Sequence, residues 1–267
     1  MTVTEPRLIG QLALRNVPLV LMYHAVAEVT EDPNLLAVAP QRFREQMACL
    51  RRLGLRGVGV AELVDALRAG QCRGLVGITF DDGYAGVLYH ALPVLRRYGF
   101  GATVYVVSER LGGTNDWDRG PVWPLLDAAG VGELVDAGLE IGSHGATHVR
   151  LAGLPADGLR QEVASSRDRL GDLLGAAPRG FAYPYGSMDA AARAAVADAG
   201  YGYACAVDTP RSSLGLLALP RIYVGQRDTA LRLVAKRLLY RGHIARRGGA
   251  PAGPADMEST DPRGGRP

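Results

Sequence analysis

Short apolar runs rich in β-branched residues alternate with longer segments of helical periodicity along nearly the whole chain. Residues 17–23 and Leu75–Phe80 are typical of strands buried on both faces, whereas residues 41–53 and Ala156–Leu174 repeat with the period of a helix. Repeated about seven or eight times, this alternation predicts an α/β fold with a parallel sheet covered by helices. Units of roughly 30 residues favour a (β/α) barrel over an open sheet, and no Gly-rich dinucleotide motif follows the first strand.

The same patterns predict the remaining elements and their breaks. Pro93 is expected to kink a helix over residues 87–98, and Gly99 to end it. Residues 121–137 are predicted to be mostly helical, with a break near Gly130. Further strands are predicted over residues 57–60, 103–107, 139–142, 180–183, 203–207 and 219–224, and further helices over residues 61–68, 189–199 and 228–242.

The composition limits the kind of protein that this chain can be. Of its 267 residues, 48% are apolar and 21% are charged, which excludes a disordered or fibrous protein. The net charge of +3 is too small to indicate nucleic acid as the main partner. We expect an N-terminal extension over residues 1–15, a single barrel domain over residues 16–245 and a disordered Gly/Pro-rich tail over residues 246–267.

The sequence predicts neither a membrane-spanning helix nor an oxidising compartment. No apolar run reaches the length of about 18 residues that a spanning helix needs, and the N-terminus lacks the pattern of a secretory signal. Cys49, Cys72 and Cys205 are odd in number, far apart and expected to be reduced thiols. Together these features predict a cytoplasmic location.

The last predicted helix ends in a basic segment. Residues 236–247 contain five lysine or arginine residues and no acidic residue. Two interpretations stay open: a solvated face favoured by the helix dipole, and weak contact with an anionic membrane surface or a polyanion.

Titratable residues directly follow several of the predicted strands. His24 ends the first strand, Asp81 and Asp82 follow Leu75–Phe80, and His144 and His148 follow the strand over residues 139–142. In a (β/α) barrel, the carboxyl ends of the strands form one rim, and that rim holds the active site. Side chains far apart in sequence are therefore expected to converge there.

The adjacent carboxylates of Asp81 and Asp82 allow two interpretations. At a strand end, Gly83 lets the backbone turn so that both carboxylates face one cavity, where a divalent cation would keep both ionised. The alternative is that an aspartate caps the following helix.

His144 and His148 lie four residues apart and share a face if their segment makes a helical turn. Two neutral imidazoles and one carboxylate suit zinc and leave positions open for water and substrate. The sequence therefore predicts a catalytic metal site, although surface histidines also fall at this spacing by chance. His90 and His243 are expected to be structural, and Cys205 to belong to the core.

Three motifs make the chain resemble the polysaccharide deacetylase superfamily, also known as carbohydrate esterase family four or the NodB homology domain. They are residues 79–84 (TFDDGY), 143–148 (SHGATH) and 181–186 (FAYPYG), and the resemblance covers roughly residues 15–240. It implies a distorted (β/α) barrel of about seven parallel strands. It also implies metal-dependent hydrolysis of an N-acetyl or O-acetyl group on a sugar.

The resemblance also implies roles for single residues. Asp82, His144 and His148 would hold one divalent metal ion, zinc in the first place, with cobalt, nickel or iron as alternatives. Asp81 would be the general base. The backbone N–H of Tyr185, at a sharp turn, would help to stabilise the oxyanion. The alternative interpretation is that this segment is an ordinary turn with no role in catalysis.

The chain departs from the family pattern at two positions. The third motif usually has an arginine where this chain has Ala182, so we expect Arg221 to orient the base instead. A late motif usually supplies a histidine as the general acid, and no histidine lies near residues 216–224. In the branch that resembles biofilm poly-N-acetylglucosamine deacetylases, the strand order is permuted and an early strand ends in Tyr-His, as it does here. His24 is therefore expected to be the acid.

The implied substrate is the N-acetyl group of an amino-sugar polymer, oligosaccharide or glycoconjugate. One alternative is the same chemistry on another amide or ester, such as a small-molecule or glycolipid intermediate. Another is a non-catalytic sugar-binding relative, which would have a damaged set of metal ligands. Trp117 and Trp123 either stack on sugar rings or pack on the barrel.

Overall fold

The computed structural model describes residues 17–28, 31–207, 209 and 213–247. The expected N-terminal extension, residues 1–15, lies outside these residues. The last helix continues to Arg247, and the rest of the expected tail, residues 248–267, also lies outside them. Within the described part of the chain, no helix combines the length and the apolar character that crossing a bilayer requires.

Short strands and helices alternate along the described residues. The strands are β1 (Val20–Tyr23), β2 (Ala25–Val26), β3 (Ala37–Val38), β4 (Arg56–Val58), β5 (Leu75–Phe80), β6 (Thr103–Val106), β7 (Glu140–Ser143), β8 (Gly180–Ala182), β9 (Tyr203–Ala206), β10 (Leu219–Pro220) and β11 (Ile222–Tyr223). The helices are α1 (Pro40–Arg52), α2 (Val60–Arg68), α3 (Leu92–Tyr98), α4 (Ala128–Asp136), α5 (Ala156–Leu174), α6 (Ala190–Asp198) and α7 (Ala230–Arg247). The predicted alternation is confirmed, and β5 and α5 have the predicted bounds.

The main sheet is parallel and curls until its ends meet. Its order is β10-β9-β8-β7-β6-β5-β1-β11, with β4 beside the first half of β5. The last two strands are one extended stretch interrupted at Arg221: β10 pairs with β9, and β11 pairs with β1. One stretch of chain therefore joins both ends of the sheet, and the predicted distorted barrel of about seven parallel strands is confirmed.

The alternation of side chains along each strand separates two apolar layers. On β1, Leu21 and Tyr23 face outward and pack with Phe43 and Met47 of α1, and all four are almost fully buried. Val20, which directly precedes Leu21 and points to the other face of the sheet, faces the barrel interior. Both faces of the sheet are thus covered, which explains the nearly continuous apolar character of the strands.

Helix α2 closes the amino-terminal end of the barrel. The backbone N–H of Val60 donates to Thr103 Oγ1 at 2.8 Å, and that of Ala61 donates to Glu140 Oε2 at 2.9 Å. Thr103 is the first residue of β6, and Glu140 is the first residue of β7. Because the first N–H groups of a helix have no partner within it, the strands supply the acceptors that cap α2.

The predicted helix over residues 121–137 is wrong in its first half. Residues 121–127 are not helical, and Leu125 forms an antiparallel bridge with Tyr84. The helix begins only at Ala128, after Asp127 accepts a hydrogen bond from the N–H of Gly130 at 2.7 Å. Gly130 therefore lies in the first turn and does not break the helix. The segment before it is not helical because pairing with the rim overrides its local helical pattern.

The predicted helix over residues 87–98 has two parts. A π-helical turn, Val87–Ala91, precedes α3, and Pro93 lies in the first turn of α3. Proline is tolerated there because the amide it lacks would have no partner within the helix. Gly99 ends α3 in the left-handed conformation, at a φ of 63°, as predicted.

Replacing Glu140 with alanine is expected to destabilise the barrel. Its carboxylate accepts hydrogen bonds from Tyr203 Oη at 2.7 Å, Thr103 Oγ1 at 2.6 Å and the amide of Ala61. Glu140→Ala leaves these donors without an acceptor and should lower the free energy of unfolding by about 2–4 kcal/mol in urea titrations. The control, Glu133→Ala on the exposed side of α4, should change it by less than about 0.5 kcal/mol. Equal losses in both variants would contradict the capping role.

Candidate metal centre

A cavity of about 620 Å³ opens at the carboxyl ends of the strands. All seven residues that the sequence analysis assigned to the site line it: His24, Asp81, Asp82, His144, His148, Tyr185 and Arg221. They come from the ends of β1, β5, β7 and β8 and from the closing strand. The predicted convergence on one rim therefore occurs.

Asp82, His144 and His148 form a buried cluster with the spacing of metal ligands. Asp82 Oδ1 lies 3.3 Å from His144 Nε2 and 3.2 Å from His148 Nε2, and the three donor atoms lie within 4.8 Å of one another. Tetrahedral zinc with bonds near 2.05 Å requires donor atoms about 3.3 Å apart. The cluster therefore fits a small divalent cation.

The hydrogen bonding of His144 agrees with this fit. Its Nδ1 atom lies 2.8 Å from the carbonyl oxygen of Ala182. A carbonyl only accepts, so in the neutral ring Nδ1 carries the hydrogen and Nε2 turns a lone pair toward Asp82. A lone pair facing a carboxylate is unfavourable without a positive charge between them, and either a proton on Nε2 or a metal ion supplies that charge.

The motif with the two histidines is held by α5 rather than by a helical turn of its own. Residues 144–148 form a loop, and His148 has a φ of 70°, so the helical-turn reasoning for this pair was wrong. Glu162 of α5 accepts hydrogen bonds from the amides of Ala146 at 2.9 Å and Thr147 at 3.0 Å. The sequence analysis missed Glu162, because nothing local links a helical glutamate to a loop 15 residues earlier.

Backbone strain concentrates at the cavity. Four non-glycine residues of the described chain have a positive φ: Leu35 (54°), Asp82 (68°), His148 (70°) and Tyr185 (56°). All four line the cavity. Such conformations cost energy and persist where the surrounding structure enforces them, typically at functional sites. Leu35 is therefore a site residue that the sequence did not reveal.

Arg221 binds Asp81 through two hydrogen bonds inside the barrel. Its Nη1 donates to Oδ1 at 2.5 Å and its Nη2 to Oδ2 at 2.7 Å, and Nη1 also donates to Thr79 Oγ1 at 3.1 Å. Burial disfavours the ionised carboxylate, but Arg221 and the neighbouring histidines His144 and His24 together lower the pKa of Asp81. Asp81 is thus a fixed, ionised acceptor beside the cluster.

The charges of the cluster stabilise one another. Burial opposes ionisation of Asp82, but His148 and His144 hold its pKa well below the usual range. Burial also disfavours the protonated form of His144, yet Asp81 and Asp82 raise its pKa. The pocket is therefore built to accept positive charge next to Asp82.

His24 ends β1 and lines the same cavity. Its Nδ1 atom is buried, with no hydrogen-bond partner in the described part of the chain. Burial lowers the pKa of His24, against the opposing influence of Asp82 and Asp81. Since a buried polar atom normally has a partner, this nitrogen is available to a group that enters the cavity.

Two aromatic rings flank His148. The ring of Trp117 lies 4.4 Å from the imidazole centroid at an interplanar angle of 30°, and the ring of Tyr185 lies 4.6 Å from it at 60°. Tyr185 Oη donates to Asp118 Oδ1 at 3.0 Å, which ties the two flanking segments together. The Nδ1 atom of His148 has no hydrogen-bond partner among the described residues, so packing orients this ring.

The loop that carries Leu35 forms another wall of the cavity. Asn34 Nδ2 donates to the carbonyl of Arg119 at 3.0 Å, and the hydroxyl of Tyr223 donates to the carbonyl of Leu35. The loop is thereby fixed between the segment of Trp117 and the closing strand. These contacts join residues far apart in sequence, and no local pattern announces them.

The remaining residues singled out in the sequence lie elsewhere. Trp123 packs against Tyr84, with ring centroids 5.5 Å apart, and does not line the cavity. Cys205 is buried in β9 and accepts a hydrogen bond from Tyr105 Oη at 3.2 Å. His90 is exposed on the π-helical turn. The side chain of His243 lies outside the description.

The part of the chain that carries most of this site matches a known protein family. Residues 69–204 match the family model described as polysaccharide deacetylase. This span covers about half of the chain and contains Asp81, Asp82, His144, His148 and Tyr185. His24 and Arg221 lie outside it.

Curated proteins similar in sequence include one from Bacillus subtilis and one from Escherichia coli. YxkH of Bacillus subtilis (strain 168), a presumptive polysaccharide deacetylase, is 26% identical over 212 residues, which are 77% of this chain and 70% of that protein. The poly-β-1,6-N-acetyl-D-glucosamine N-deacetylase of Escherichia coli (strain K12) is 31% identical over 80 residues, 29% of this chain. This match spans 12% of the Escherichia coli protein.

Solved structures show the same fold. Streptococcus pyogenes deacetylase PplD in complex with acetate superposes with a TM-score of 0.71 at 23% identity, over 82% of this chain and 96% of that one. IcaB from Ammonifex degensii gives a TM-score of 0.68 at 24% identity, over 85% of this chain and 97% of that one. At this level of identity the likeness concerns the fold.

Removing the indole of Trp117 is expected to weaken metal binding. Without it, one side of the His148 imidazole is unsupported, and loss of an orienting partner typically costs about tenfold or more in metal affinity. Trp117→Ala should therefore raise the dissociation constant for zinc or cobalt in chelator competition, whereas Trp117→Phe, which keeps a ring, should stay near the native value. Equal affinity in all three proteins would contradict the supporting role of this ring.

Proposed function

The chain belongs to the polysaccharide deacetylase family, hydrolases of carbohydrate-esterase type that act on N-acetyl amide bonds, and from this we propose that it is a metal-dependent deacetylase of amino sugars. One observation carries the proposal: the Asp82, His144 and His148 donor atoms lie within 4.8 Å of one another beside the Arg221–Asp81 pair. A non-catalytic sugar-binding relative would have a damaged ligand set, and this set is intact.

Asp82, His144 and His148 would hold the metal. The chemistry supplied by a divalent cation held there is polarisation of the acyl oxygen and acidification of a water molecule. Zinc suits two imidazoles and a carboxylate, and cobalt, nickel and iron accept the same donors. The protein's own part is to hold the acetyl group, accept and deliver protons, and stabilise the oxyanion.

Asp81 is proposed as the general base. Its carboxylate keeps acceptor sites beyond the two that Arg221 occupies, since an ionised carboxylate accepts about four hydrogen bonds. Arg221 fixes its orientation and keeps it ionised. Water attacks the acetyl carbon, Asp81 takes a proton from it, and the C–O bond forms as the carbonyl becomes a tetrahedral oxyanion.

His24 and Tyr185 complete the proposed machinery. The backbone N–H of Tyr185, at a left-handed turn on the cavity wall, donates to the oxyanion. When the C–N bond breaks, His24 gives a proton to the amine nitrogen, which otherwise leaves poorly. The proton released by the attacking water balances the one that the amine takes up, and acetate is the second product.

An N-acetylglucosamine chain or oligomer is the proposed substrate. The support comes from the Escherichia coli protein, whose name gives poly-β-1,6-N-acetyl-D-glucosamine as its substrate and whose matching segment covers 29% of this chain. The exposed part of Trp117 on the cavity wall offers a surface on which a sugar ring stacks. Deacetylation of another amide or of a glycolipid by the same residues would appear as acetate release when those compounds are offered instead. The cytoplasmic location stays a prediction.

Acetate release from metal-loaded protein tests this function. We expect turnover of N-acetylglucosamine oligomers, its loss in a strong chelator and its recovery on adding zinc or cobalt. Asp81→Asn and His24→Ala should lower kcat by about 10²–10⁴-fold while the metal content stays unchanged, because both groups move protons and neither holds the ion.

Matched controls separate catalysis from folding. Asp65→Asn removes a carboxylate that is also paired with an arginine, Arg179, at 2.7 Å, but far from the cavity. His90→Ala removes an exposed histidine. Both controls should keep full turnover. If His24→Ala turned over as fast as His90→Ala, the assignment of the acid would be wrong, and native protein inert on all acetylated sugars offered would refute the proposed function.

A further inference from the structure

The outward face of helix α7 is apolar. Leu231, Leu238 and Leu239 are exposed to 79%, 70% and 69%, and at spacings of seven and eight residues they lie on one side of the helix. Leu233 and Tyr240, on the opposite side, are buried against the barrel. A helix covering a barrel normally presents polar residues to solvent, so three exposed leucines in one stripe indicate a surface that binds something.

The charged residues of helix α7 are all basic. Residues 230–247 contain six lysine or arginine residues and no acidic residue. Arg237 is exposed beside the leucine stripe, and so is Arg232, although its Nε also lies 3.9 Å from Asp228 Oδ1. Lys236 is engaged within the protein, where its Nζ donates to Asp228 Oδ2 and to the carbonyl of Tyr223, each at 2.7 Å. The stripe is thus flanked by cations of the described helix.

We propose that α7 docks the protein on an anionic lipid surface, with the three leucines in the acyl boundary and the flanking arginines on lipid phosphates. An apolar stripe bordered by basic residues is the pattern of helices that lie in the membrane interface. Anionic headgroups attract each exposed basic residue, and this attraction falls as salt rises. The inference stands apart from the proposed function, since none of these residues lines the catalytic cavity.

The charges favour lipid over other occupants of this face. A second copy of the chain, docked through the same helix, would bring two sets of cations together, which repel. Nucleic acid would use the arginines and leave the leucines exposed to water. The sequence from 248 to 267 has Met257 as its single large aliphatic residue, too little to cover three leucines.

Vesicle co-sedimentation of the full chain tests the docking surface. The probes are vesicles of phosphatidylcholine alone and of phosphatidylcholine with about 30% phosphatidylglycerol. We expect at least about fivefold stronger partitioning to the anionic vesicles, with the difference lost in high salt. The triple variant Leu231→Ser, Leu238→Ser, Leu239→Ser and the double variant Arg232→Gln, Arg237→Gln should each lose most of this binding.

A control variant with exposed apolar residues on other helices, Val135→Ser with Leu173→Ser, should bind as the native protein does. Thermal melting and acetate release from a soluble oligomer report on folding and on the catalytic site, which the helix variants should leave unchanged. Native protein that ignores both vesicles, binds them equally, or forms dimers in light scattering that the leucine variant abolishes would overturn the proposal. Those outcomes would leave the deacetylase function untouched.

Discussion

Two buried carboxylates at adjacent positions stay ionised only when each has positive charge of its own, and Asp81 and Asp82 meet this requirement in different ways. Arg221 compensates Asp81 through two short hydrogen bonds, while Asp82 faces two imidazole nitrogens at 3.2 and 3.3 Å. An uncompensated buried charge costs several kcal/mol, so the separation is necessary. It also gives the two carboxylates different surroundings. Asp81 is fixed as a hydrogen-bond acceptor, and Asp82 lies in a cluster that fits a cation.

Closure of the barrel and compensation of Asp81 depend on the same stretch of chain. Arg221 interrupts the strand that pairs with β9 on one side and β1 on the other, and β1 is the neighbour of β5, which ends at Asp81. The guanidinium reaches the carboxylate only when the sheet has closed. Ala182, where the family usually has its arginine, instead offers its carbonyl to His144. Arg221, from the closing strand, binds Asp81 in this chain, and we propose that it takes the orienting role of that arginine.

Strand periodicity and strand-end residues were enough to predict the barrel and its rim. Leu75–Phe80 is apolar throughout because both faces are buried, and the polar residues after it had to reach solvent or a site. The first half of the helix predicted over residues 121–137 was wrong because Leu125 pairs with Tyr84 across the rim, a contact between distant residues. Glu162 and Leu35 were missed for the same reason: a buried helical glutamate and a strained loop leucine act only through partners far away in sequence.

The central claim is that Asp82, His144 and His148 hold one ion at the mouth of the barrel. Anomalous diffraction from crystals of zinc-loaded protein, recorded on both sides of the zinc absorption edge, tests it directly. The account predicts one strong peak at bonding distance, about 2.0–2.2 Å, from an Asp82 oxygen and from Nε2 of both histidines. A crystal at full zinc loading with no peak among these three residues, or with its peak at other side chains, would contradict it.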